Sequence, residues 1–243
     1  MRIVAIIQAR MGSTRLPGKV LMDIGGETML ARVVNRVLSA TRIDKTVVAT
    51  TVSERDEPII AECRKLGVAC FRGSEEDVLD RYYQAALVYK AEGIVRITSD
   101  CPLIDREAID KVVREFENQG SDYASNTLER TYPRGLDTEV MTTEALARAW
   151  KEACEHYQRA HVTPYIYQNP GIFQLCSMTA DGDYSNHRWT VDTSEDLTFI
   201  RAIYKRLNDG GDFGWKDVLR ALDKERQLME LNKHIQQKAM EED

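Results

Sequence analysis

The sequence predicts an α/β fold: a mostly parallel twisted sheet flanked by helices, with a small antiparallel extension and C-terminal helices. In the first half of the chain, short apolar runs alternate with amphipathic segments, which is the pattern of βαβ units. The second half mixes strands and helices less regularly. Predicted strands of the first half are residues 3–7, 45–50, 69–71 and 94–97, and predicted helices are residues 28–39, 55–66, 76–91 and 106–118.

Individual elements have local support in the sequence. Residues 3–7 are continuously apolar, as expected of a buried strand. In segment 76–91, apolar residues that include Val78 and Tyr82 recur at helical spacing. Asp105 is the predicted N-cap of the helix that follows it.

The second half of the chain predicts an antiparallel extension that closes over the first sheet. The run Thr193-x-x-Asp196 resembles a capping box and begins a helix that ends near residue 207. A main domain, 1–207, would then be followed by a helical extension, 208–243. Predicted strands are 123–125, 138–141, 173–178 and 188–191, predicted helices are 144–156, 160–167, 215–222 and 225–240, and residues 208–212 are a predicted turn.

An apolar stripe marks the last predicted helix. Leu228, Leu231 and Ile235 lie on one of its faces. Two interpretations remain open at this point: the stripe packs on the parent domain, or it contacts a second subunit.

The composition and charge of the chain exclude several classes of protein. The net charge of −6 and the pI near 5.4 argue against general affinity for nucleic acid. The first apolar run is too short for a signal peptide, and no apolar stretch is long enough to cross a bilayer. The five cysteines are widely spaced without a Cys-x-x-Cys pair, which favours reduced thiols in a cytoplasm. We expect a cytoplasmic protein without membrane insertion, whose local basic residues bind a small anion.

The segment 8–19, Gln-Ala-Arg-Met-Gly-Ser-Thr-Arg-Leu-Pro-Gly-Lys, is the most informative part of the sequence. It directly follows the first predicted strand and carries three cations: Arg10, Arg15 and Lys19. Such a loop can present backbone N–H groups and fixed positive charge to a polyphosphate. It is not a Walker A loop, because five residues separate its glycines and valine follows the lysine, and G-x-G-x-x-G is also absent.

The pattern Ala-Arg-x-x-Ser-x-Arg-Leu-Pro-Gly-Lys within this segment resembles that of the sugar-acid cytidylyltransferases. That family includes the CMP-Kdo and CMP-sialic acid synthetases and the spore-coat polysaccharide protein SpsF. The resemblance extends from residue 3 to about residue 207 and implies a Rossmann-like, GT-A-like nucleotidyltransferase. It implies nucleotide binding by Ala9, Arg10, Gly12, Ser13, Arg15 and Lys19, with Arg10, Lys19 and Asp100 as catalytic residues.

Two carboxylates are the metal ligands that the resemblance implies. Asp100 lies in Ser-Asp-Cys-Pro-Leu after a predicted strand, at the edge where open α/β sheets bind ligands. Asp192 lies in Val-Asp-Thr-Ser-Glu-Asp-Leu and matches the second metal carboxylate, although it could instead only cap the next helix. Mg²⁺ is the expected cofactor, because it takes one or two carboxylates plus substrate phosphate. We treat Cys101 as structural, since no nearby motif supplies a base.

A second part of the nucleotide pocket is implied after the third strand, in Arg-Gly-Ser-Glu-Glu-Asp. By resemblance, Arg72 and Ser74 lie nearest to the nucleotide. An alternative for Ser74 is a purely structural one, in which it is the N-cap of the next helix and Asp77 completes a variant capping box.

The acceptor residues are also implied by resemblance. Arg134 and Arg188 are the expected carboxylate clamps, because a guanidinium fits a carboxylate in bidentate geometry. Arg188 could instead pair with a core carboxylate. The remaining acceptor contacts are expected at Asp137 and Glu139, which would receive sugar hydroxyls, and at His161 and Asn186, with a buried structural role as the alternative for His161.

The reaction that the resemblance implies is transfer of CMP from CTP to a sugar acid, with release of pyrophosphate. The expected partners are CTP, a small sugar-acid acceptor and a second copy of the chain in a homodimer. Two alternatives stay open: another acceptor, such as an amino-acid phosphate or a phosphonate, or a non-catalytic nucleotide-binding partner in polysaccharide assembly.

Overall fold

A seven-stranded sheet with helices on both faces forms the centre of the computed structural model, which describes residues 1–207 and 212–237. The strands are β1 (Ile3–Gln8), β2 (Asp23–Ile24), β3 (Glu27–Thr28), β4 (Lys45–Thr51), β5 (Ala69–Gly73), β6 (Gly93–Thr98), β7 (Tyr123–Ser125), β8 (Glu139–Thr142) and β9 (Leu175–Ser177). The helices are α1 (Met29–Leu38), α2 (Glu57–Leu66), α3 (Val78–Val88), α4 (Arg106–Gln119), α5 (Thr143–Glu152), α6 (His156–His161), α7 (Pro164–Tyr167), α8 (Ser194–Leu207) and α9 (Trp215–Lys224), with short 3-10 helices at Lys19–Leu21, Glu54–Asp56 and Arg226–Leu231.

The strand order in the sheet is β5-β4-β1-β6-β8-β7-β9. The four strands from β5 to β6 are parallel, as the alternation of strands and helices predicted. Strand β8 runs antiparallel to both β6 and β7, which confirms the predicted antiparallel extension, and β9 pairs in parallel with β7. The expectation that this extension closes over the first sheet is wrong, because it continues the same sheet beyond β6. Strands β2 and β3 form a separate two-stranded antiparallel hairpin.

Strand β1 lies at the centre of the parallel half and is buried on both faces. Ile3, Ala5 and Ile7 pack on one side, in a core shared with α1, α2 and α4. Val4 and Ile6 pack on the other side, in a core shared with α3, α5 and α7. This explains why the strand reads as a continuous apolar run. A third core joins α8 and α9 to the 3-10 helix that follows them.

The predicted strand at 188–191 is wrong. Only an isolated bridge between Arg188 and Arg134 forms there, and the segment is otherwise irregular. Its apolar residues, Trp189 and Val191, are buried in the third core, which includes residues of α8 and α9. The alternation of polar and apolar residues therefore reflects a loop packed on helices, a pattern that cannot be told from a strand by periodicity alone.

Two predicted helices of the second half are interrupted. The helix expected at 144–156 ends at Glu152, and α6 begins only after Glu155, which caps it. The helix expected at 160–167 is broken at Val162, whose φ of 73° lies in the left-handed region. A β-branched residue rarely adopts this conformation, so the break was not visible in the sequence.

The C-terminal helix predicted at 225–240 is a short 3-10 helix, Arg226–Leu231, within the described residues. Leu228 is buried in the third core and Leu231 packs against that core, which supports the packing interpretation for the start of the apolar stripe. Residues 208–211 of the predicted turn and residues 238–240 of the predicted helix lie outside the described residues. Across the described ranges, no helix combines the length and apolar character needed to traverse a bilayer.

Gly135 packs against the backbone of Trp189 and Thr190, so a larger residue at this position should destabilise the fold. Its φ is 108°, and an added Cβ would lie 2.6 Å from the backbone carbon of Trp189. We expect Gly135→Ala to lower the free energy of unfolding by about 3 kcal/mol, because left-handed strain and backbone overlap add together. Urea unfolding followed by tryptophan fluorescence measures this change.

The matched control is Gly171→Ala, because an added Cβ at Gly171 meets nothing within 4 Å. We expect this variant to stay within about 0.5 kcal/mol of the wild type. Equal stability of the two variants would contradict the close approach at Gly135.

Candidate active site

The loop of residues 9–18 leaves β1 at the carboxyl end of the parallel strands. The carbonyl of Met11 accepts hydrogen bonds from the backbone N–H groups of Ser13 and Gly18, at 2.9 and 3.0 Å. Gly18 has a φ of 70°, a left-handed conformation that favours glycine. These bonds fold the loop back on itself, so that Lys19 begins a short 3-10 helix beside the strand ends.

Asp56, a residue that the sequence did not identify, anchors this loop. Its carboxylate accepts from the backbone N–H of Met11 at 2.8 Å and from the hydroxyls of Thr50 and Thr51 at 2.9 and 2.6 Å. Burial raises the pKa of Asp56, but the hydrogen bonds from Thr51, Met11 and Thr50 outweigh this, so that its pKa lies below the ordinary value. The ionised, buried carboxylate of Asp56 therefore fixes the loop of residues 9–18 to the end of β4.

Lys19 lies between the two carboxylates predicted as metal ligands. Its Nζ donates to Asp100 Oδ2 at 2.9 Å, to Asp192 Oδ1 at 3.0 Å and to the carbonyl of Val191 at 2.7 Å. Burial alone lowers the pKa of Lys19, but the charges of Asp100 and Asp192 raise it above the ordinary value. The ammonium group is thus protonated and joins three segments distant in sequence.

The same contacts shift the pKa of Asp100. Burial raises this pKa, whereas the charge of Lys19 and the hydrogen bonds from Thr98, Lys19 and Cys101 lower it to about 2. Asp100 is therefore an anion at neutral pH. Burial, together with the carboxylates of Asp100 and Asp137, raises the pKa of the Cys101 thiol well above its ordinary value. A protonated, buried thiol is a poor nucleophile, which agrees with the structural role predicted for Cys101.

Asp192 is surrounded by cations. Arg15 Nη2 lies 3.0 Å from Asp192 Oδ1, and Arg188 Nη2 lies 2.8 Å from Asp192 Oδ2. Arg188 also forms a bidentate pair with the buried Asp196, at 2.9 and 3.0 Å. Arg188 thus pairs with internal carboxylates, as the alternative interpretation of the sequence expected, and its role as an acceptor clamp stays a prediction.

The two carboxylates fit a hard divalent cation. Asp100 and Asp192 converge on one point, now taken by the Lys19 ammonium, and their loops are joined by a hydrogen bond from the backbone N–H of Val191 to the carbonyl of Asp100, at 2.8 Å. Within residues 1–207 and 212–237, no group of three or more His, Cys, Asp or Glu side chains could hold a metal. Two carboxylate donors completed by substrate oxygens match the preference of Mg²⁺.

The remaining loop residues are placed around this cluster. Ala9 is buried and its N–H bonds to the carbonyl of Ala49, whereas Arg10 and Gly12 are exposed. The hydroxyl of Ser13 accepts from a backbone N–H three residues later, at 3.3 Å, so it is part of the turn. The structure brings Arg15 and Lys19 into the carboxylate cluster and leaves the Arg10 side chain at the surface.

Arg72 lies in the last part of β5, and Ser74 directly follows this strand. The Arg72 guanidinium donates to the carbonyls of Thr51 and Val52, at 3.1 and 2.8 Å, and to Glu57, so it braces the loop after β4. Ser74 Oγ accepts from the N–H of Asp77. The N-cap of α3 is Asp77, not Ser74, which corrects the structural alternative. Nucleotide contact by Arg72 and Ser74 stays a prediction.

Arg134 and Asp137 lie on the loop that contacts residues 187–189. Asp137 is held by Arg130 in a bidentate pair at 2.6 and 2.9 Å. The half-buried Arg134 side chain forms no hydrogen bond or ion pair in the part of the chain that the structure describes. Burial and the positive charge of Arg130 lower its pKa. A desolvated cation beside another cation is a place where an anionic ligand would be stabilised.

The other predicted acceptor residues do not join this group. Glu139 is buried, and its carboxylate pairs with Arg96 and accepts hydrogen bonds from Tyr123 Oη at 2.6 Å and Thr163 Oγ1 at 2.5 Å. Its contact with a sugar hydroxyl stays a prediction. His161 ends α6, is half-buried and already has partners in the protein. Asn186 is exposed on the loop before Arg188.

Comparison with known proteins decides the family. The family model described as cytidylyltransferase matches residues 4–239. The chain belongs to the cytidylyltransferase family. The spore coat polysaccharide biosynthesis protein SpsF of Bacillus subtilis is 36% identical over 229 residues, which cover 91% of this chain and 94% of that protein. A cytidylyltransferase structure from Leptospira borgpetersenii has a TM-score of 0.91 and 33% identity, and covers 98% of this chain and all of that one.

A third relative matches over about half of its length. The 3-deoxy-manno-octulosonate cytidylyltransferase of Agrobacterium fabrum is 38% identical over 136 residues, which are 54% of this chain and 52% of that protein. The family match and these relatives establish the protein as a CTP-dependent nucleotidyltransferase with the Rossmann-like fold predicted from its sequence.

Three residues of this cytidylyltransferase were missed at the sequence level. Asp56 lies in a run of charged residues where nothing distinguishes a buried carboxylate from exposed ones. Arg81 is 1% exposed, donates to the carbonyl of Ser74 at 2.8 Å and has no salt-bridge partner among the described residues. Arg81 lies on the apolar face of α3, and this position could have indicated its burial from the sequence. Asn232 was not identifiable, because its partners come from distant segments.

The lowered pKa of the buried Asp56 predicts how the stability of the cytidylyltransferase depends on pH. Because its pKa is lowered in the folded state, its stabilising contribution is complete above the unfolded pKa near 4 and is lost as the pH falls through the folded pKa. We expect Asp56→Asn to lower the free energy of unfolding by about 2 kcal/mol at pH 7, and to flatten its decline between about pH 5 and 3. Urea unfolding at a series of pH values measures both effects.

The matched control is Asp44→Asn, an exposed aspartate that accepts one backbone hydrogen bond, from Ile3 at 2.7 Å. It should change the free energy of unfolding less than Asp56→Asn. A wild-type pH profile retained in Asp56→Asn would show that Asp56 is not the titrating anchor.

Proposed function

We propose that the protein transfers CMP from CTP to the anomeric hydroxyl of a 2-keto-3-deoxy sugar acid and releases pyrophosphate. The observation that carries this proposal is the convergence of Lys19, Asp100 and Asp192 at the carboxyl edge of the parallel strands. Positively charged groups for a triphosphate and negatively charged groups for a cation meet there at one point. The names of two relatives, a spore coat polysaccharide biosynthesis protein and a 3-deoxy-manno-octulosonate cytidylyltransferase, support an acceptor for a surface polysaccharide.

The triphosphate would be held by the loop of residues 9–18 and by Lys19. Arg10 is exposed, and Arg15 and Lys19 are charged neighbours of the two carboxylates. Their positive charges would neutralise the departing pyrophosphate. Phosphoryl-type transfer of this kind depends on positioning and charge stabilisation more than on a covalent protein group. The protonated, buried Cys101 is consistent with that chemistry, because it offers no nucleophile.

Mg²⁺ would be held by Asp100 and Asp192, where it would supply charge neutralisation at the α-phosphate and polarise the acceptor hydroxyl. Both side chains are held in place by the protein itself. Asp100 contacts Lys19, and Asp192 contacts Arg15, Lys19 and Arg188. This prior orientation is what makes the site effective in the transition state.

The acceptor carboxylate would bind at Arg134. This guanidinium has no hydrogen-bond or ion-pair partner in the described chain, whereas the neighbouring Arg130 is satisfied by Asp137. Its backbone lies next to the Asp192 segment, because its carbonyl accepts from the N–H of Trp189 at 2.7 Å. A carboxylate bound there would lie beside the segment that carries Asp192.

The test of the proposed function is pyrophosphate release with Mg²⁺, in which each of the four nucleoside triphosphates is paired with a panel of 2-keto-3-deoxy sugar acids. Release with CTP and one acid would establish the reaction and name the substrate. Release only with an amino-acid phosphate or phosphonate added to the panel would replace the acceptor class. Binding of CTP without release from any pair would favour the non-catalytic alternative.

Two substitutions test the assigned roles of the cluster. We expect Lys19→Met and Asp100→Asn each to lower the rate of pyrophosphate release by on the order of 10² to 10³, because each removes a preorganised charge at the reacting phosphate. Steady-state rates with saturating CTP and Mg²⁺ measure the loss. Lys65→Met is the control, since the Lys65 side chain is 74% exposed. Wild-type turnover in either cluster variant would contradict the assignment.

Arg134→Gln tests the acceptor site. Loss of a charge-assisted bond to a carboxylate should raise the KM for the sugar acid about 10- to 100-fold and leave the KM for CTP within about twofold. The control is Arg114→Gln, at a half-exposed position on α4. An equal rise in both KM values for Arg134→Gln would instead indicate a general distortion of the site.

A further inference from the structure

The chain that follows α9 returns to the Asp192 segment. Asn232 lies just after the last 3-10 helix and is 3% exposed. Its Nδ2 group donates two hydrogen bonds, to the carbonyl of Arg188 at 3.0 Å and to Asp196 Oδ1 at 2.9 Å. Five residues later, Gln237 Oε1 accepts a hydrogen bond from Arg188 Nη1 at 2.8 Å. The C-terminal segment thus contacts both members of the Arg188–Asp196 ion pair.

These contacts continue to the predicted cation ligand. Asp196 Oδ2 accepts the backbone N–H of Asp192 at 3.0 Å, and Asp196 holds Arg188 in a bidentate pair. Arg188 in turn donates to Asp192 Oδ2 at 2.8 Å. Both the backbone and the carboxylate of Asp192 are therefore oriented by the ion pair that Asn232 fixes.

The amide of Asn232 suits this position chemically. Asp196 is fully buried, so each of its lone pairs that lacks a donor is costly. A neutral amide adds donors without adding charge to a cluster in which Asp192 already contacts Arg15, Lys19 and Arg188. Outer hydrogen-bond partners of this kind fix the orientation of metal ligands, and their removal commonly weakens metal binding 10- to 100-fold.

We propose that Asn232 is a positioning residue that sets the divalent-cation affinity of the site by orienting Asp192 through Asp196 and Arg188. The inference rests on the proposed function, because it uses the cation site assigned there to Asp100 and Asp192. It places a determinant of that site in the C-terminal segment, outside the main α/β domain.

The experiment measures Mn²⁺ binding to the full chain by electron paramagnetic resonance in the presence of CTP and without acceptor, so that turnover is not needed. Asn232→Ala should raise the Kd for Mn²⁺ about tenfold. The Kd for CTP measured without metal should stay within twofold, because Asn232 contacts no part of the loop of residues 9–18. The matched control is Lys233→Ala, whose side chain is 71% exposed and forms a surface ion pair with Glu230.

A second variant keeps the test decisive if Asn232→Ala does not fold. Among the described residues, Gln237→Ala removes one side-chain bond, that to Arg188 Nη1, at an exposed position, and it should raise the Kd for Mn²⁺ about threefold. Wild-type Mn²⁺ affinity in both variants would overturn the positioning role and leave the proposed function intact. Absence of Mn²⁺ binding by the wild type would overturn the cation site itself, and this inference with it.

Discussion

The ammonium group of Lys19 is the contact on which the site depends. It joins Asp100 and Asp192, which are 81 and 173 residues away along the chain, and so ties three loops together at one edge of the sheet. A largely buried cation without these anions would be destabilising. Without the cation, the buried carboxylate of Asp192 and the partly buried carboxylate of Asp100 would repel each other. The cluster therefore exists only when all three loops are in place. The same arrangement places positive and negative charges side by side at the edge of the sheet.

Two buried carboxylates outside the cluster keep these loops in position. Asp56 fixes the backbone at Met11 and so sets the entry to the loop of residues 9–18. Asp196 fixes Arg188 and the backbone of Asp192 on the opposite side. Each is satisfied by several hydrogen bonds, which is the condition under which a buried charge orients its surroundings instead of weakening them. Both carboxylates thus support the Lys19 cluster from behind, whereas Arg10 stays at the surface.

Short sequence patterns predicted the features that depend on residues close together in the chain. The apolar run of β1, the loop of residues 9–18 and the placement of Asp100 after β6 all follow from short stretches of chain, and the structure confirms the strands and the edge at which they end. What could not be predicted depends on partners distant in sequence. Segment 188–191 alternates like a strand but packs on helices, and the charge of Glu139 is matched in the interior by Arg96, a pairing set by strand register. Burial of a charged side chain leaves no mark in the sequence when its partner lies on another element.

The parallel half of the sheet has a consequence for synthesis of the chain. Strands β5, β4, β1 and β6 all come from residues 3–98, so this half can assemble from the first part of the polypeptide. Asp192 and the residues that hold it in place are synthesised almost a hundred residues later. A growing chain can therefore form its central strands while Lys19 still lacks one of its two anions, and long-range contacts of this kind form slowly. The edge at which Lys19, Asp100 and Asp192 meet is expected to become ordered after the strands that support it.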